Sequence, residues 1–246
     1  MVLCLLHGFA QPTAAWADVV SALGATDLVL CPTPGHDPAL PVRAGWDEAV
    51  ADLAARIPAG AIAVGYSFGA RLALGLLAAD AVPAAILIGV NPGLADPAAR
   101  AARRAADATW AARLRALGTA AFLDEWEAQP LFATQVRAPL ARRQRRRAVR
   151  AGLAAEPLAQ ALEHLGLGAM PDLAAALTAR ADRAHLIVGA DDDRFRARAA
   201  EARAHAPTLA IDLVAGSGHD PTLEAPAALA TAIDRAAVRM SVGPST

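Results

Sequence analysis

Short apolar runs recur along the chain and are separated by longer segments in which apolar residues follow helical spacing. The runs cover residues 2–6, 28–31, 61–64, 84–90, 185–188 and 209–214. Apolar runs of this length are typical of strands that are buried on both faces. Strands that alternate with helices form a mostly parallel sheet with helices on both faces. The pattern therefore predicts an α/β fold.

The pattern changes over residues 91–184, where the sequence is helical in character and contains no convincing strand. A connection of this length is too long for an ordinary crossover in a compact sheet. Pro and Gly residues mark both of its ends, at Asn91-Pro92-Gly93 and Met170-Pro171. We therefore expect a core of residues 1–90 and 185–240, an inserted helical cap of residues 91–184, and a frayed tail of residues 241–246.

The pentapeptide Gly65-Tyr66-Ser67-Phe68-Gly69 stands between the third predicted strand and a helix-like segment. This context is typical of the nucleophile elbow of an α/β hydrolase, whereas a match to G-x-S-x-G alone is a weak signal. Glycines flank the serine because the turn is tight and a side chain there would collide with a neighbouring element. The alternative is a serine that only caps the helix. We favour the elbow, with Ser67 as the candidate nucleophile.

A serine hydroxyl needs a neighbouring base to accept its proton. His219 is the candidate, because it follows the last predicted strand, where a loop can reach the carboxyl edge of the sheet. The acid that orients it should follow an earlier strand, and three consecutive aspartates stand there, Asp191, Asp192 and Asp193. Spacing does not choose among them. The same run could bind a hard cation, but no ligand-rich loop completes such a site, so we expect no metal.

The first predicted strand ends in His7-Gly8-Phe9. In the α/β-hydrolase fold the corresponding loop supplies one backbone N–H of the oxyanion hole, and the residue after the nucleophile supplies the other. We therefore predict Phe9 and Phe68 as the two donors. His7 is interpreted as a structural residue of the turn, since its place in the backbone explains it sufficiently.

Two sets of arginines need a partner for their charge: Arg71 and the arginine-rich segment 142–147. Arg71 lies one helical turn after Ser67, on a helix that should be buried beneath the cap. A buried charge is costly unless it is paired, so either an anionic substrate or a carboxylate of the cap should balance it. The segment 142–147 contains five arginines, which is typical of a solvated helix face or a nucleic-acid patch. Because no other basic stripe or aromatic platform accompanies it, we expect no nucleic-acid partner.

Composition limits the class of protein. The 246 residues are 55% hydrophobic and 19% charged with a formal net charge of −1, which fits a globular protein without a field that attracts nucleic acid or anionic membranes. Two cysteines in predicted strands are too few for a disulfide framework. The N-terminus lacks the basic region of a signal peptide, and Asp80 and Pro83 interrupt the longest apolar stretch. We expect a cytoplasmic protein that binds a small molecule and no membrane; its oligomeric state is open.

The chain resembles one α/β-hydrolase family, the 2-succinyl-6-hydroxy-2,4-cyclohexadiene-1-carboxylate synthases of menaquinone biosynthesis. The resemblance spans almost the whole chain and is most specific in the cap. It rests on Leu6-His7-Gly8-Phe9, Pro34-Gly35-His36, the elbow extended through Ala70 to Arg71, Pro92-Gly93-Leu94, Arg100, Arg103, Trp110, Trp126, Gln129-Pro130-Leu131-Phe132-Ala133, Arg147, Gly152, Asp192-Asp193-Arg194-Phe195 and Gly218-His219.

The resemblance implies a catalytic triad of Ser67, Asp192 and His219, with Asp192 chosen by its place before Phe195. It also implies five substrate-binding residues: Arg71, Arg103 and Arg147 for carboxylates, and Tyr66 and Trp126 in the pocket wall. The family's reaction is an elimination in which the triad removes a ring proton and pyruvate leaves, with no metal or organic cofactor. Glu127 stands where the family usually has a tyrosine, and its charge would oppose a tricarboxylate.

Three functional hypotheses follow. The leading one is a pyruvate-eliminating lyase that acts on an anionic small molecule. The alternative is a carboxylesterase or C–C hydrolase that uses the same triad through an acyl-enzyme. A third is a binding module that keeps the fold without catalysis. Arginines that converge on Ser67 favour the lyase, an apolar pocket favours the esterase, and a serine far from His219 favours the binding module.

Overall fold

The computed structural model describes residues 1–24, 27–43 and 45–242, and these residues form one parallel sheet covered by helices. The strands in this part of the chain are Val2–Leu6 (β1), Asp27–Cys31 (β2), Ile62–Tyr66 (β3), Ala85–Ile88 (β4), Ala184–Gly189 (β5) and Ala210–Val214 (β6). They pair in parallel in the order β2-β1-β3-β4-β5-β6. The predicted α/β fold is confirmed, and every predicted strand lies within two residues of an observed one.

Helices occupy the connections between the strands. The α-helices are Ala17–Val20 (α1), Trp46–Ala54 (α2), Phe68–Ala78 (α3), Pro97–Glu127 (α4), Leu140–Ala151 (α5), Ala155–Leu165 (α6), Ala174–Ala179 (α7), Asp193–His205 (α8), Pro221–Glu224 (α9) and Pro226–Val242 (α10). Short 3₁₀ helices cover Thr13–Trp16, Pro130–Arg137 and Ala181–Arg183. The four helices α4 to α7 all fall between β4 and β5, so the inserted helical cap that the fold prediction included is present.

The central strands are apolar along their whole length because both of their faces are buried. Side chains alternate across a strand, so Cys4 and Leu6 of β1 pack on the side of α3, while Leu3 and Leu5 pack on the side of α10. All four side chains are fully buried. This double burial produces the continuous apolar runs that identified the strands in the sequence.

The cap has a hydrophobic cluster of its own. Helices α4 and α6 pack together, and Leu114, Phe122 and Leu158 are fully buried between them. Helix α4 is interrupted at Gly118, where φ is 70° and ψ is 165°. This conformation favours glycine because it lacks a Cβ atom, and it lets the two halves of α4 follow different directions over the core.

The end of the last helix and the apolar character of the helices can be compared with the predicted frayed tail and the expected absence of a membrane span. Helix α10 runs to Val242, so it contains the first two residues of the predicted frayed tail, and residues 243–246 lie outside the described part of the chain. Of the helices described, none is both long enough and apolar enough to cross a membrane.

Gly69 tests how tightly α3 packs on the sheet. A Cβ atom at this position would lie 2.2 Å from the carbonyl oxygen of Leu6, and this backbone contact cannot be relieved by a rotamer change. We expect Gly69→Ala to lower the free energy of unfolding by about 2 kcal/mol or more, because the helix must move away from β1. Urea unfolding followed by circular dichroism measures the change.

Gly152 provides the matched control for this measurement. It has a φ of −81°, which alanine adopts readily, and a Cβ atom there would meet only the carbonyl oxygen of Val149 at 3.8 Å. Gly152→Ala should therefore leave the unfolding curve almost unchanged. Equal stabilities of the Gly69 and Gly152 variants would contradict the close approach of α3 to β1.

Candidate active site

A cavity of about 410 Å³ lies between the carboxyl edge of the sheet and the cap. Its lining combines residues of both layers, among them Phe9, Ser67 and His219 from the core and Arg103, Trp126 and Phe132 from the cap. Ligands of parallel α/β sheets characteristically bind at this edge, where the loops that follow the strands converge. The cavity is therefore the candidate site.

Ser67 occupies a strained turn between β3 and α3. Its φ of 52° and ψ of −104° fall in a region that residues with a Cβ atom rarely adopt. Such a conformation costs on the order of 1–3 kcal/mol and persists only where the surroundings enforce it. Here the Ser67 N–H donates a 2.8 Å hydrogen bond to the carbonyl oxygen of Ile88 in β4. The turn places the serine side chain in the cavity wall.

The side chains of Ser67, His219 and Asp192 form a continuous hydrogen-bonded chain. His219 Nε2 lies 3.1 Å from Ser67 Oγ, and His219 Nδ1 lies 2.9 Å from Asp192 Oδ2. The other carboxylate oxygen, Asp192 Oδ1, accepts a 3.1 Å hydrogen bond from the Phe195 N–H, which fixes the carboxylate at the start of α8. In this arrangement the imidazole can accept a proton from the serine, and the carboxylate can stabilise the imidazolium that forms.

The other two aspartates of the run point elsewhere. Asp191 pairs with Arg137, and Asp193 is almost fully exposed and lies 3.1 Å from Arg196. Of the three acids that the sequence left as alternatives, Asp192 is the one in contact with His219. Within the described ranges of the chain, no group of three or more His, Cys, Asp or Glu side chains gathers to hold a metal ion.

The predicted oxyanion donors are the backbone N–H groups of Phe9 and Phe68. Phe68 is the first residue of α3, so helix geometry leaves its N–H without an intrahelical acceptor. Phe9 lies in the loop after β1, and both residues line the cavity. Among the hydrogen bonds of the described residues, neither N–H has an acceptor. Preorganised donors of this kind can stabilise negative charge that develops on an oxygen atom.

Two buried histidines hold the loop that carries Phe9. The Thr33 N–H donates to His7 Nε2 at 3.2 Å, and the Ala10 N–H donates to His36 Nε2 at 2.8 Å. Burial lowers the pKa of His7 to about 4 and holds the pKa of His36 well below its ordinary value, so both rings are neutral at pH 7 and can accept these bonds. Sequence analysis included His36 in the family resemblance but assigned it no role, because that role depends on a contact across 26 residues.

Arg71 is a cation that forms no salt bridge with the described residues. No carboxylate of the described residues lies within salt-bridge distance of its guanidinium, so the alternative of a salt bridge to the cap is not realised. Its Nη1 donates to the carbonyl oxygen of Leu165 at 2.9 Å, and its Cζ lies 5.1 Å from the centre of the Phe68 ring. Burial, followed by the charge of Arg103, lowers the pKa of Arg71 to about 9, which still leaves it protonated at neutral pH.

The remaining arginines require one correction. Arg103 lines the cavity and pairs with Asp107 at 2.8 Å. Arg147 does not line the cavity, because its guanidinium is held on the outer side of the cap by Asp124 at 2.7 Å and Glu127 at 2.9 Å. The structure therefore gives no support to the assignment of Arg147 to substrate binding.

Arg150 takes the place in the cavity wall that had been assigned to Arg147. It lies three residues further along α5, and its side chain is buried and lines the cavity. Its Nε donates to the carbonyl oxygen of Ala10 at 2.8 Å, and its Nη1 lies 2.6 Å from Glu127 Oε1. In a run of arginines the residue type does not reveal which position faces inward. The rotation of the helix about its axis determines which arginine faces the cavity.

Tyr66 and Trp126 both line the cavity, as the resemblance implied. The ring of Trp126 lies 5.0 Å from that of Phe9, which joins the cap to the loop after β1. A polar wall was not foreseen. Asp220 Oδ2 accepts hydrogen bonds from Gln11 Nε2 at 3.3 Å and Gln135 Nε2 at 3.4 Å, and all three residues line the cavity. No local motif distinguishes these residues in the sequence.

Comparison with known proteins agrees with this geometry. The family model described as the alpha/beta hydrolase family matches residues 2–232. The chain is 32% identical over 234 residues to the 2-succinyl-6-hydroxy-2,4-cyclohexadiene-1-carboxylate synthase of Salmonella agona strain SL483, covering 92% of this chain and 89% of that protein. The synthase of Salmonella heidelberg strain SL476 matches with the same identity and coverage.

Solved structures support the fold. MenH from S. aureus has a TM-score of 0.86 and 24% identity, covering 95% of this chain and 91% of that chain. A thermophilic esterase from Thermogutta terrifontis has a TM-score of 0.79 and 21% identity, covering 98% of this chain and 90% of that chain. At these identities the likeness concerns the fold alone.

The contact between Ser67 and His219 predicts a shared role in turnover. We expect Ser67→Ala and His219→Ala each to reduce kcat by on the order of 10³-fold or more, because each removes one member of the proton-transfer pair. Thermal unfolding of Ser67→Ala should match the parent chain, because that change removes one hydroxyl. His219→Ala removes a buried ring, so a circular dichroism spectrum must show that this variant is folded. Near-normal turnover in either variant would rule out this pair as the catalytic one.

The three aspartates predict a graded series. Asp192→Asn removes the charge that faces His219 Nδ1, whereas Asp191→Asn and Asp193→Asn change carboxylates that pair with arginines away from the cavity. We expect Asp192→Asn to lower kcat by on the order of 10³- to 10⁴-fold and the two controls to change it by less than about threefold. Steady-state kinetics of the three variants decides the assignment; similar losses at all three positions would contradict it.

Proposed function

Because this chain belongs to the 2-succinyl-6-hydroxy-2,4-cyclohexadiene-1-carboxylate synthase family of alpha/beta hydrolases, we propose that it is a pyruvate-eliminating lyase of menaquinone biosynthesis. Membership of the alpha/beta hydrolase family alone would leave the reaction open, since one fold serves many chemistries. The observation that carries the proposal is Arg71, a guanidinium in the cavity wall that has no carboxylate partner in the described chain. Such a charge favours an anionic substrate beside the nucleophile.

The proposed reaction begins with a proton transfer. The pair Ser67 and His219 takes a proton from a ring carbon of the substrate, with the serine oxygen in contact with the substrate and the imidazole holding the proton. The electron pair of the broken C–H bond forms a ring double bond, and the bond between the ring carbon and the enolpyruvyl oxygen breaks with its electron pair on that oxygen. The leaving enolpyruvate takes up the proton held by the imidazole and becomes pyruvate by tautomerisation. Asp192 stabilises the imidazolium through Nδ1. The Phe9 and Phe68 N–H groups would bind the oxygen on which negative charge develops.

Arginines from the core and from the cap would bind the carboxylate of an anionic substrate. Arg71 extends from α3 and Arg103 from α4, so a substrate carboxylate between them would connect the core to the cap. A guanidinium can bind a carboxylate with two parallel hydrogen bonds, which fixes orientation as well as affinity. Trp126 and Phe132 supply an apolar wall for the substrate ring. We therefore propose an anionic cyclic substrate, with its ring on the aromatic wall and a carboxylate at the arginines.

An assay of pyruvate release tests the proposal directly. The purified chain is incubated with the family's enolpyruvyl cyclohexene substrate, and pyruvate is measured by coupling to lactate dehydrogenase. A panel of neutral p-nitrophenyl esters is run in parallel, because the alternative is a serine esterase that acts through an acyl-enzyme on Ser67. Pyruvate release that depends on Ser67 supports the lyase. Ester hydrolysis without pyruvate release would replace the lyase by the esterase.

Arginine variants predict a difference between the two substrate classes. Arg71→Ala and Arg103→Ala should each weaken kcat/KM for the anionic substrate by about 2–4 kcal/mol, the usual cost of truncating one member of a buried charge pair. Hydrolysis of a neutral ester should change little, because Ser67 and His219 remain in place. Arg147→Ala is the control, since Arg147 lies outside the cavity. Equal losses on both substrate classes would mean that the arginines only hold the cap in place.

A further inference from the structure

Glu127 stands between two arginines at the end of α4. Its Oε1 lies 2.6 Å from Arg150 Nη1, and its Oε2 lies 2.9 Å from Arg147 Nη1. Arg150 lines the cavity, whereas Arg147 faces outward and also pairs with Asp124 at 2.7 Å. Glu127 thus brings a negative charge of the protein itself to a guanidinium in the cavity wall.

The orientation of Arg150 is supported by contacts other than the one with Glu127. The Nε of Arg150 already donates to the carbonyl oxygen of Ala10 at 2.8 Å, and its side chain is only 6% exposed, so packing and a backbone acceptor hold it. What Glu127 adds is charge. At a distance of 2.6 Å in a partly buried site, a carboxylate offsets most of the attraction that the guanidinium would exert on a second anion.

The charges around the cavity are therefore unequal at its two arginine-bearing ends. At one end the acids Glu127, Asp124 and Asp220 balance the bases Arg147, Arg150 and Arg146, so the formal charges cancel. The other end holds the bases Arg71 and Arg103 but a single paired acid, Asp107, which leaves one positive charge. Of these two clusters, the one at Arg71 and Arg103 exerts the net attraction on an anion that enters the cavity; the exposed Arg194 adds a further positive charge to the lining.

We infer that Glu127 is a specificity-determining residue. It neutralises Arg150 from within the chain, so the site prefers a ligand carboxylate at Arg71 and Arg103 and disfavours a further carboxylate beside Arg150. The inference rests on the proposed function, in that it concerns the charge of the ligand which that site accepts. Beyond the proposed function, the inference states how many carboxylates the substrate can have and where in the cavity they bind.

A titration with simple carboxylates tests the inference without turnover. Butyrate, succinate and propane-1,2,3-tricarboxylate are titrated into the intact chain at low ionic strength, and dissociation constants are measured by ligand-detected NMR. Glu127→Gln keeps the size and the hydrogen-bonding capacity of the side chain and removes its charge. We expect it to tighten the binding of the tricarboxylate on the order of tenfold, with a smaller gain for succinate and little change for butyrate. The gain should shrink as salt is added.

Asp124→Asn is the matched control, because Asp124 pairs with Arg147 but is 73% exposed and does not contact Arg150. It should leave all three dissociation constants within about twofold of the parent chain. The double variant Glu127→Gln with Arg150→Gln should lose the gain for the tricarboxylate, because the guanidinium that attracts the added carboxylate is gone. Circular dichroism spectra of the variants establish that they remain folded.

Two outcomes would overturn the inference. Unchanged affinities in Glu127→Gln would show that Glu127 does not control charge selectivity, and weaker binding of the tricarboxylate would show that Glu127 positions Arg150 for the ligand. Either result is distinct from a failure of the proposed function, which is judged by pyruvate release from the parent chain. Charge selectivity can hold in an enzyme that releases no pyruvate, and pyruvate release can occur without it.

Discussion

The turn at Ser67 is the constraint on which the site depends. It holds a side-chain-bearing residue at a φ of 52°, and the hydrogen bond to Ile88 together with the close approach of Gly69 to β1 enforces that conformation. One turn of backbone thereby fixes three groups at once: the hydroxyl of Ser67, the free N–H of Phe68 and, one helical turn later, the guanidinium of Arg71. The remaining groups of the site are placed relative to this turn by the sheet and the cap.

Buried charge gives the cavity its chemical character. A protein interior accepts an ionised group only where a partner or a ligand compensates it. Arg103 and Arg150 have carboxylate partners within the chain, whereas Arg71 has a backbone carbonyl and an aromatic face. Neither contact neutralises a full charge. The guanidinium lies beside the turn at Ser67, and the carboxylate of Asp107, which already pairs with Arg103, compensates its charge only in part.

The elements that could be predicted are those with a local signal. Continuous apolar runs identified the strands, and the strand, turn and helix around Ser67 identified the elbow. The features that could not be predicted depend on which side of a helix faces the cavity, or on contacts between residues far apart in the sequence. Arg147 and Arg150 lie three residues apart in an arginine-rich helix, and sequence chemistry does not tell which one faces the cavity. Asp220 and His36 are set by contacts across 209 and 26 residues, which no spacing rule reports.

Fold and reaction are therefore carried by different parts of the chain. The sheet, the turn at Ser67 and the contacts of His219 would serve an ester hydrolase as well as a lyase, since both need a base, an acid and oxyanion donors. Core and cap together add what a general hydrolase does not require, namely Arg71 from α3 and Arg103 and Arg150 from the cap helices, whose charges are compensated to different degrees. An uncharged ester forms no ion pair with Arg71. An apolar side chain at that position would bind such an ester better. The charges in the cavity wall, rather than the hydrogen bonds of Ser67, His219 and Asp192, are thus the part of the site that would discriminate between an anionic and a neutral substrate.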